Sequence, residues 1–217
     1  MLDLVEEMVL LAIEDDGAVS HTAGTLDFRW GMVGACLVDL NTHGRIDMDM
    51  EKIHILSDES VNSPALDLVL GLLRDGPPRN PVDWIAQLGD HSKDIIRHAI
   101  ESLIARGILD QQEKRFLWVM KTRRYPVIDG KEQTEAKLRI VSLLLSDDLP
   151  TPHDSVLIGL ANASGLLEGF LSTAEVARLQ DRLEQIGGLD LIASAVRQAL
   201  ARELERVAQT MMVTSVY

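Results

Sequence analysis

Apolar residues recur at helical spacing along almost the whole chain, and glycine or proline interrupts them at short intervals. The clearest case is 92–106. There Ile95, Ile96, Ala99, Ile100, Leu103 and Ile104 line one face, and Arg106-Gly107 closes the segment. A face of this kind has to be buried against a partner, so such a chain folds by packing helix on helix. Residues 2–15 set Leu2, Val5, Val9 and Ala12 along one stripe, with Leu4, Met8 and Leu11 beside it. The segment stops at Asp15-Asp16-Gly17. Residues 25–43 carry Leu26, Val33, Leu37 and Leu40, and Gly44 suits the position just past a helix end. Pro64 and Pro81 each fit the first turn of a further helix. Helical spacing returns over 131–145. It returns again from Val156 to Ala163, with Asp154 as the expected N-cap, and over 172–186 and 189–209 on either side of Gly187-Gly188.

Two segments depart from this pattern. Ile46, Met48, Met50, Ile53 and Ile55 alternate in part with polar residues, which predicts a strand or hairpin. Ile108-Leu109 and Phe116 to Met120 flank a polar stretch that reads as the turn of a second hairpin. Leu, Ala, Ile and Val dominate while aromatics make up 4%, so helix is favoured over sheet. The expected fold is mainly α. The connectors are short, so 1–217 is expected to be a single domain. Cys36 is the one cysteine and is expected in the core, and no intramolecular disulfide is possible.

The formal charge is −13. Such a chain repels nucleic-acid phosphates, so no nucleic-acid partner is expected. A winged-helix outline, helix 92–106 followed by a hairpin, is opposed by that charge and by Asp94 and Glu101 on the would-be recognition helix. An anionic membrane would be repelled as well, unless positive charge is gathered locally. Residues 113–125 do gather it: Lys114, Arg115, Lys121, Arg123 and Arg124 stand against Glu113, with Phe116, Leu117 and Trp118 among them. Arginine meets phosphate, and aromatic rings settle at headgroup level. The competing reading is a buried hairpin with ordinary surface charge at its flanks. Lys93 and Arg97 on the 92–106 helix, and Arg29-Trp30 in a glycine-lined corner, are the other candidate headgroup residues. Solvated helix charge and a packing Trp are the plain alternatives there.

No catalytic constellation is present. The six histidines are scattered without an HExxH pair, and no GxSxG, P-loop or GxGxxG occurs. No metal or cofactor is therefore expected. The opening residues are acidic, unlike a secretory signal, and the longest apolar runs are about six residues where a membrane span needs roughly 20. No lipidation motif occurs, so membrane contact is expected to be peripheral.

Three stretches carry a family likeness: the opening helix with Met32 to Ile46; Leu103 to Leu109 leading into Phe116-Leu117-Trp118; and Leu157 to Glu168. Together they resemble the Golgi phosphoprotein 3 family over roughly residues 2–205. The resemblance implies a compact helical bundle wrapped by amphipathic helices, with β-hairpins at the periphery. It also implies a non-enzymatic peripheral membrane protein, cytoplasmic and bound to the cytoplasmic face. That protein would hold phosphatidylinositol 4-phosphate in a basic pocket and touch the bilayer with a hairpin. Protein tails of membrane enzymes are implied as further partners. Independently of the resemblance, a few cationic contacts bind weakly, so stable attachment is expected to need hairpin insertion or self-association as a homo-oligomer. Applied residue by residue, the likeness is incomplete. Val33 stands where the family has a pocket arginine, and Lys93 and Ile96 stand near two more. The family's tryptophan has no match near Gly24, where Trp30 is the nearest substitute. The expected headgroup residues are thus Arg29, Trp30, Lys93, Arg97, Arg123 and Arg124, with Phe116, Leu117 and Trp118 as the membrane-contacting hairpin.

Overall fold

The computed structural model describes residues 2–14, 16–116, 120–187 and 190–214, the side chains of 113–123 and of 207–214 excepted. It is mainly α. In chain order the helices are α1 (Leu4–Leu11), α2 (Leu26–Thr42), α3 (Pro64–Asp75), α4 (Pro81–Leu88), α5 (Ser92–Ala105), α6 (Lys131–Leu145), α7 (Pro152–Ala163), α8 (Thr173–Arg178), α9 (Gln180–Gly187) and α10 (Leu191–Thr214). Two antiparallel hairpins interrupt them: β1 (Ile46–Met48) with β2 (Ile53–Ile55), and β3 (Gln112–Phe116) with β4 (Met120–Arg124).

The middle of the bundle is α1 against α2. Every residue of α1 is buried, and α1 packs on α2, α5, α6 and α7. Its partner α2 owes its central place to small residues. A Cβ on Gly34 would come within 2.9 Å of Val196 and 3.0 Å of Leu160, so glycine lets α7 and α10 close on this helix. A Cβ on Gly31 would overlap the Ser164 hydroxyl. Cys36, Leu37 and Leu40 lie in the core, as the apolar spacing of this segment predicts.

An eight-residue helix buried all round has to satisfy its own polar groups, and α1 carries Glu6 and Glu7. Each meets a cation from a different neighbour. Glu6 accepts from Arg106 Nη1 at 2.6 Å and from Ser102 Oγ at 2.8 Å, both on or just after α5. Glu7 accepts from Arg139 Nη2 of α6 at 2.8 Å, and His153 Nε2 of α7 lies 3.1 Å away. Arg139 Nε reaches Asp154 at 2.6 Å. From α2, the Asp39 carboxylate accepts the Leu4 and Val5 N–H groups at 2.9 and 3.0 Å, two of the donors that a helix N-terminus leaves unpaired.

The structure differs from the sequence reading in four places. α1 is shorter than 2–15. The 172–186 helix breaks at Leu179 into α8 and α9. Thr151, not Asp154, caps α7: its hydroxyl accepts from the Asp154 N–H and donates to Asp154 Oδ2, while Asp154 Oδ1 faces Arg139. The second hairpin has the larger correction. The polar stretch expected as its turn is strand β3, paired with basic β4, and the connection falls at 117–119, outside the described residues. The ladder is made by backbone groups, so a charged sequence can form it.

Candidate functional site

The first group of expected site residues sits where α2 begins. Thr25 caps α2, its hydroxyl accepting the Phe28 N–H at 3.2 Å. One turn in, Arg29 reaches across to α5. Its Nε donates to Ser92 Oγ at 2.7 Å and its Nη2 to the Gly89 carbonyl at 2.8 Å. Gly89 begins a 3₁₀ turn, Gly89–His91, that joins α4 to α5. Trp30 is 6% exposed, and a Cβ on Gly89 would overlap its indole. Arg29 and Trp30 therefore build the corner from behind. Val33 is fully buried in the core.

Lys93 and Arg97 lie on the exposed side of α5. Arg97 is held by its own helix: Nη2 donates to Asp94 at 3.0 Å and Nη1 to Glu101 at 3.2 Å. Those bonds, Asp94 first, hold its guanidinium above the usual arginine range. His98 Nδ1 lies 3.3 Å from Glu101 as well. The charge of Arg97 is thus largely answered within the helix, and Lys93 is the outward cation of this corner.

The second group lies at the other end of α5, whose 14 residues rise about 1.5 Å each, or roughly 20 Å in all. There the chain enters β3–β4. The register sets Gln112 opposite Arg124, Glu113 opposite Arg123, Lys114 opposite Thr122, Arg115 opposite Lys121 and Phe116 opposite Met120. Leu117 and Trp118 fall outside the described residues, as do the side chains of Phe116 and Arg123. Arg124 pairs with Asp16. The hairpin base is stitched to the loop after α1 where Tyr125 N donates to the Gly17 carbonyl at 2.7 Å, and its own two arms are joined where Asp110 N donates to the Pro126 carbonyl at 3.0 Å. Gly17 has a φ of +78°, and a Cβ there would lie 2.6 Å from the Pro126 nitrogen, so this seam requires glycine.

The expected residues therefore fall into two groups, a corner and a hairpin. Sequence reasoning missed what supports each: Ser92 and Gly89 behind Arg29, and Asp16 beside Arg124. A glycine between the apolar end of α4 and the start of α5 was the available signal for the first. Asp16 lies 108 residues from Arg124 and had none.

Among the described residues no cluster of three or more His, Cys, Asp or Glu side chains could hold a metal ion. No described helix is long and apolar enough to cross a membrane. In comparison with known proteins, the family model described as Golgi phosphoprotein 3 (GPP34) matches residues 4–202. A search of curated proteins gives no match.

Proposed function

Because the chain belongs to the Golgi phosphoprotein 3 family, we propose that it is a non-enzymatic peripheral membrane protein that holds anionic phospholipid headgroups at the cytoplasmic face of a membrane. The observation that carries this reading is the register of β3–β4. Arg115 stands opposite Lys121, and Arg123 follows two positions on. Like charges directly opposed destabilise a strand pair, and a bound phosphate offsets that cost. Each lysine or arginine near an anionic leaflet contributes about 1 kcal/mol, so the cations of this hairpin other than Arg124, which pairs with Asp16, give weak, salt-sensitive attraction. Stable attachment needs a second signal, and the apolar sequence Phe116-Leu117-Trp118 is suited to supply it. Selectivity for the 4-phosphate is the finer proposal. It rests on Lys93, with Arg97 a turn further and Arg29 and Trp30 fixing the corner. Lysine there is a point charge without the bidentate fork of arginine.

Co-sedimentation tests this with neutral, phosphatidylserine, phosphatidylinositol and phosphatidylinositol-4-phosphate vesicles, at low and physiological salt. The wild type is expected to pellet with anionic vesicles and Lys121→Gln/Arg123→Gln to stay in solution. Binding confined to the phosphorylated lipid at physiological salt supports the headgroup pocket, and equal binding to all anionic vesicles removes it. No pelleting with any vesicle removes the lipid reading altogether.

An adaptor function, gripping protein tails of membrane enzymes or a second copy of the chain, has its own support. On α6, Leu138 and Leu145 are 64% and 72% exposed. Beside them a groove of about 240 Å³ is lined by Val141, Leu145, Leu171 and Leu179. Retention of one partner in detergent, where no bilayer exists, favours this reading.

A further inference from the structure

The polar groups around the first turn of α1 do not balance. Among the described residues, the carboxylates Asp3, Glu6, Glu7, Asp39 and Asp154 face two arginines, Arg106 and Arg139. The remaining groups are histidines: His153 Nε2 lies 3.1 Å from Glu7, and His43 Nε2 lies 3.4 Å from Asp3. Glu6, Glu7, Asp39 and Asp154 are all buried. A buried belt with more carboxylates than permanent cations is relieved by binding protons.

We propose that this belt is a proton-operated latch on the N-terminal helix: α1 is held most firmly when His153 and Asp39 carry protons, and it loosens as they leave. The groups that face His153 are Glu7 from α1, Arg139 from α6, Asp154 from its own helix and Asp39 from α2. Those that face Asp39 are the Leu4 and Val5 N–H groups, Asp3, His153 and the buried Cys36 thiol of its own helix. The Glu7 carboxylate holds the His153 imidazole above its usual range, against its partial burial. Burial pushes the Asp39 carboxyl up to about 7, against the pull of its two N–H donors.

Both shifts act in the same direction. A histidine raised on folding contributes stability that is present below its unfolded pKa and lost as pH rises through the folded one. A carboxyl raised on folding binds its proton more tightly in the folded chain, so stability falls as pH rises between about 4 and 7 and stays low above. For Asp39 alone the opening equilibrium of α1 grows about tenfold between pH 6 and pH 8. The loosening travels, because the loop after α1 holds the hairpin base through Gly17 and Asp16.

Hydrogen exchange of the full chain, corrected for the intrinsic pH dependence, tests the latch. Peptides covering α1 are compared with peptides covering α3, which contributes no side chain to the belt. Protection of α1 is expected to fall clearly more than tenfold from pH 6 to pH 8 while α3 holds. Asp39→Asn is expected to remove the roughly tenfold part that Asp39 contributes, and His153→Gln to cut the fall back to about that tenfold. Equal loss in both helices, no loss in α1, or a wild-type slope in His153→Gln overturns the proposal. The histidine variant keeps the test open if Asp39→Asn does not fold.

Discussion

Replacing Gly17 by alanine probes the seam between the N-terminal helix and the hairpin. Two costs add there. A non-glycine residue in the left-handed region costs about 1–2 kcal/mol. The new Cβ would lie 2.6 Å from the Pro126 nitrogen and 2.9 Å from its Cα, and backbone atoms cannot rotate away. Overpacking of this kind costs about 1–3 kcal/mol, for a total of about 2–5 kcal/mol. Gly44 is the internal control: its φ is +64°, and nothing lies within 4 Å of a Cβ built there, so only the conformational cost applies. In a chain of this length 1 kcal/mol moves Tm by about 2–4 °C. Calorimetry is therefore expected to show a fall of about 4–20 °C for Gly17→Ala and about 2–8 °C for Gly44→Ala, the first the larger of the two. Exchange at Tyr125, whose N–H the Gly17 carbonyl accepts, should quicken only in the first. Equal falls in the two variants would show that the contact with Pro126 does not constrain the loop, and the reasoning would fail.

Two further outcomes are expected. The Ser164 hydroxyl is buried, with no hydrogen-bond partner among the described residues. Ser164→Ala should raise stability by about 1 kcal/mol by removing an unpaired group, and a loss in urea unfolding would refute this. Glu6→Leu should lower global stability by about 1–3 kcal/mol, because the Ser102 hydroxyl and the Asp3 N–H lose their acceptor while Arg106, 40% exposed, can turn to water. The same variant should quicken amide exchange within α1, and unchanged exchange would deny the carboxylate a positioning role.

How much of this was legible in the sequence depended on how local each feature is. The 92–106 periodicity, Pro64 and Pro81 at helix starts, and Gly44 past the end of α2 are signals within a few residues, and each marks the element it predicts. The β3–β4 register was misplaced because residues 110–115 are polar without alternation, while the pairing that makes them a strand is a backbone property. The corner was half legible. Arg29-Trp30 stood out by type, yet its partners Gly89 and Ser92 are 60 and 63 residues away. The belt around α1 was the least visible, since its partners lie 34 to 146 residues from α1. One signal was present all the same. Leu-Val-Glu-Glu-Met-Val-Leu-Leu is apolar on every side except for two acids. A helix apolar all round is a buried helix, and buried acids need partners.

Why a central helix should carry charge at all follows from its length. Eight residues are too few to be helical alone, so packing has to define where α1 sits. Apolar contacts do this loosely, since Leu, Val and Met substitute for one another with small changes in energy. Two adjacent acids with two different partners do it sharply. A slip of one residue would bring Glu6 to the place of Glu7, against Arg139 and His153. It would also bring Val5 to the place of Glu6, against Ser102 and Arg106. One cation would then lose its carboxylate, and a valine would face two donors. Buried ion pairs add little net stability compared with well-packed apolar residues, so the role we assign to this belt is to set the rotation and height of α1. The loop to the hairpin base begins at the end of α1, so the same pairs also set where the basic hairpin stands on the bundle.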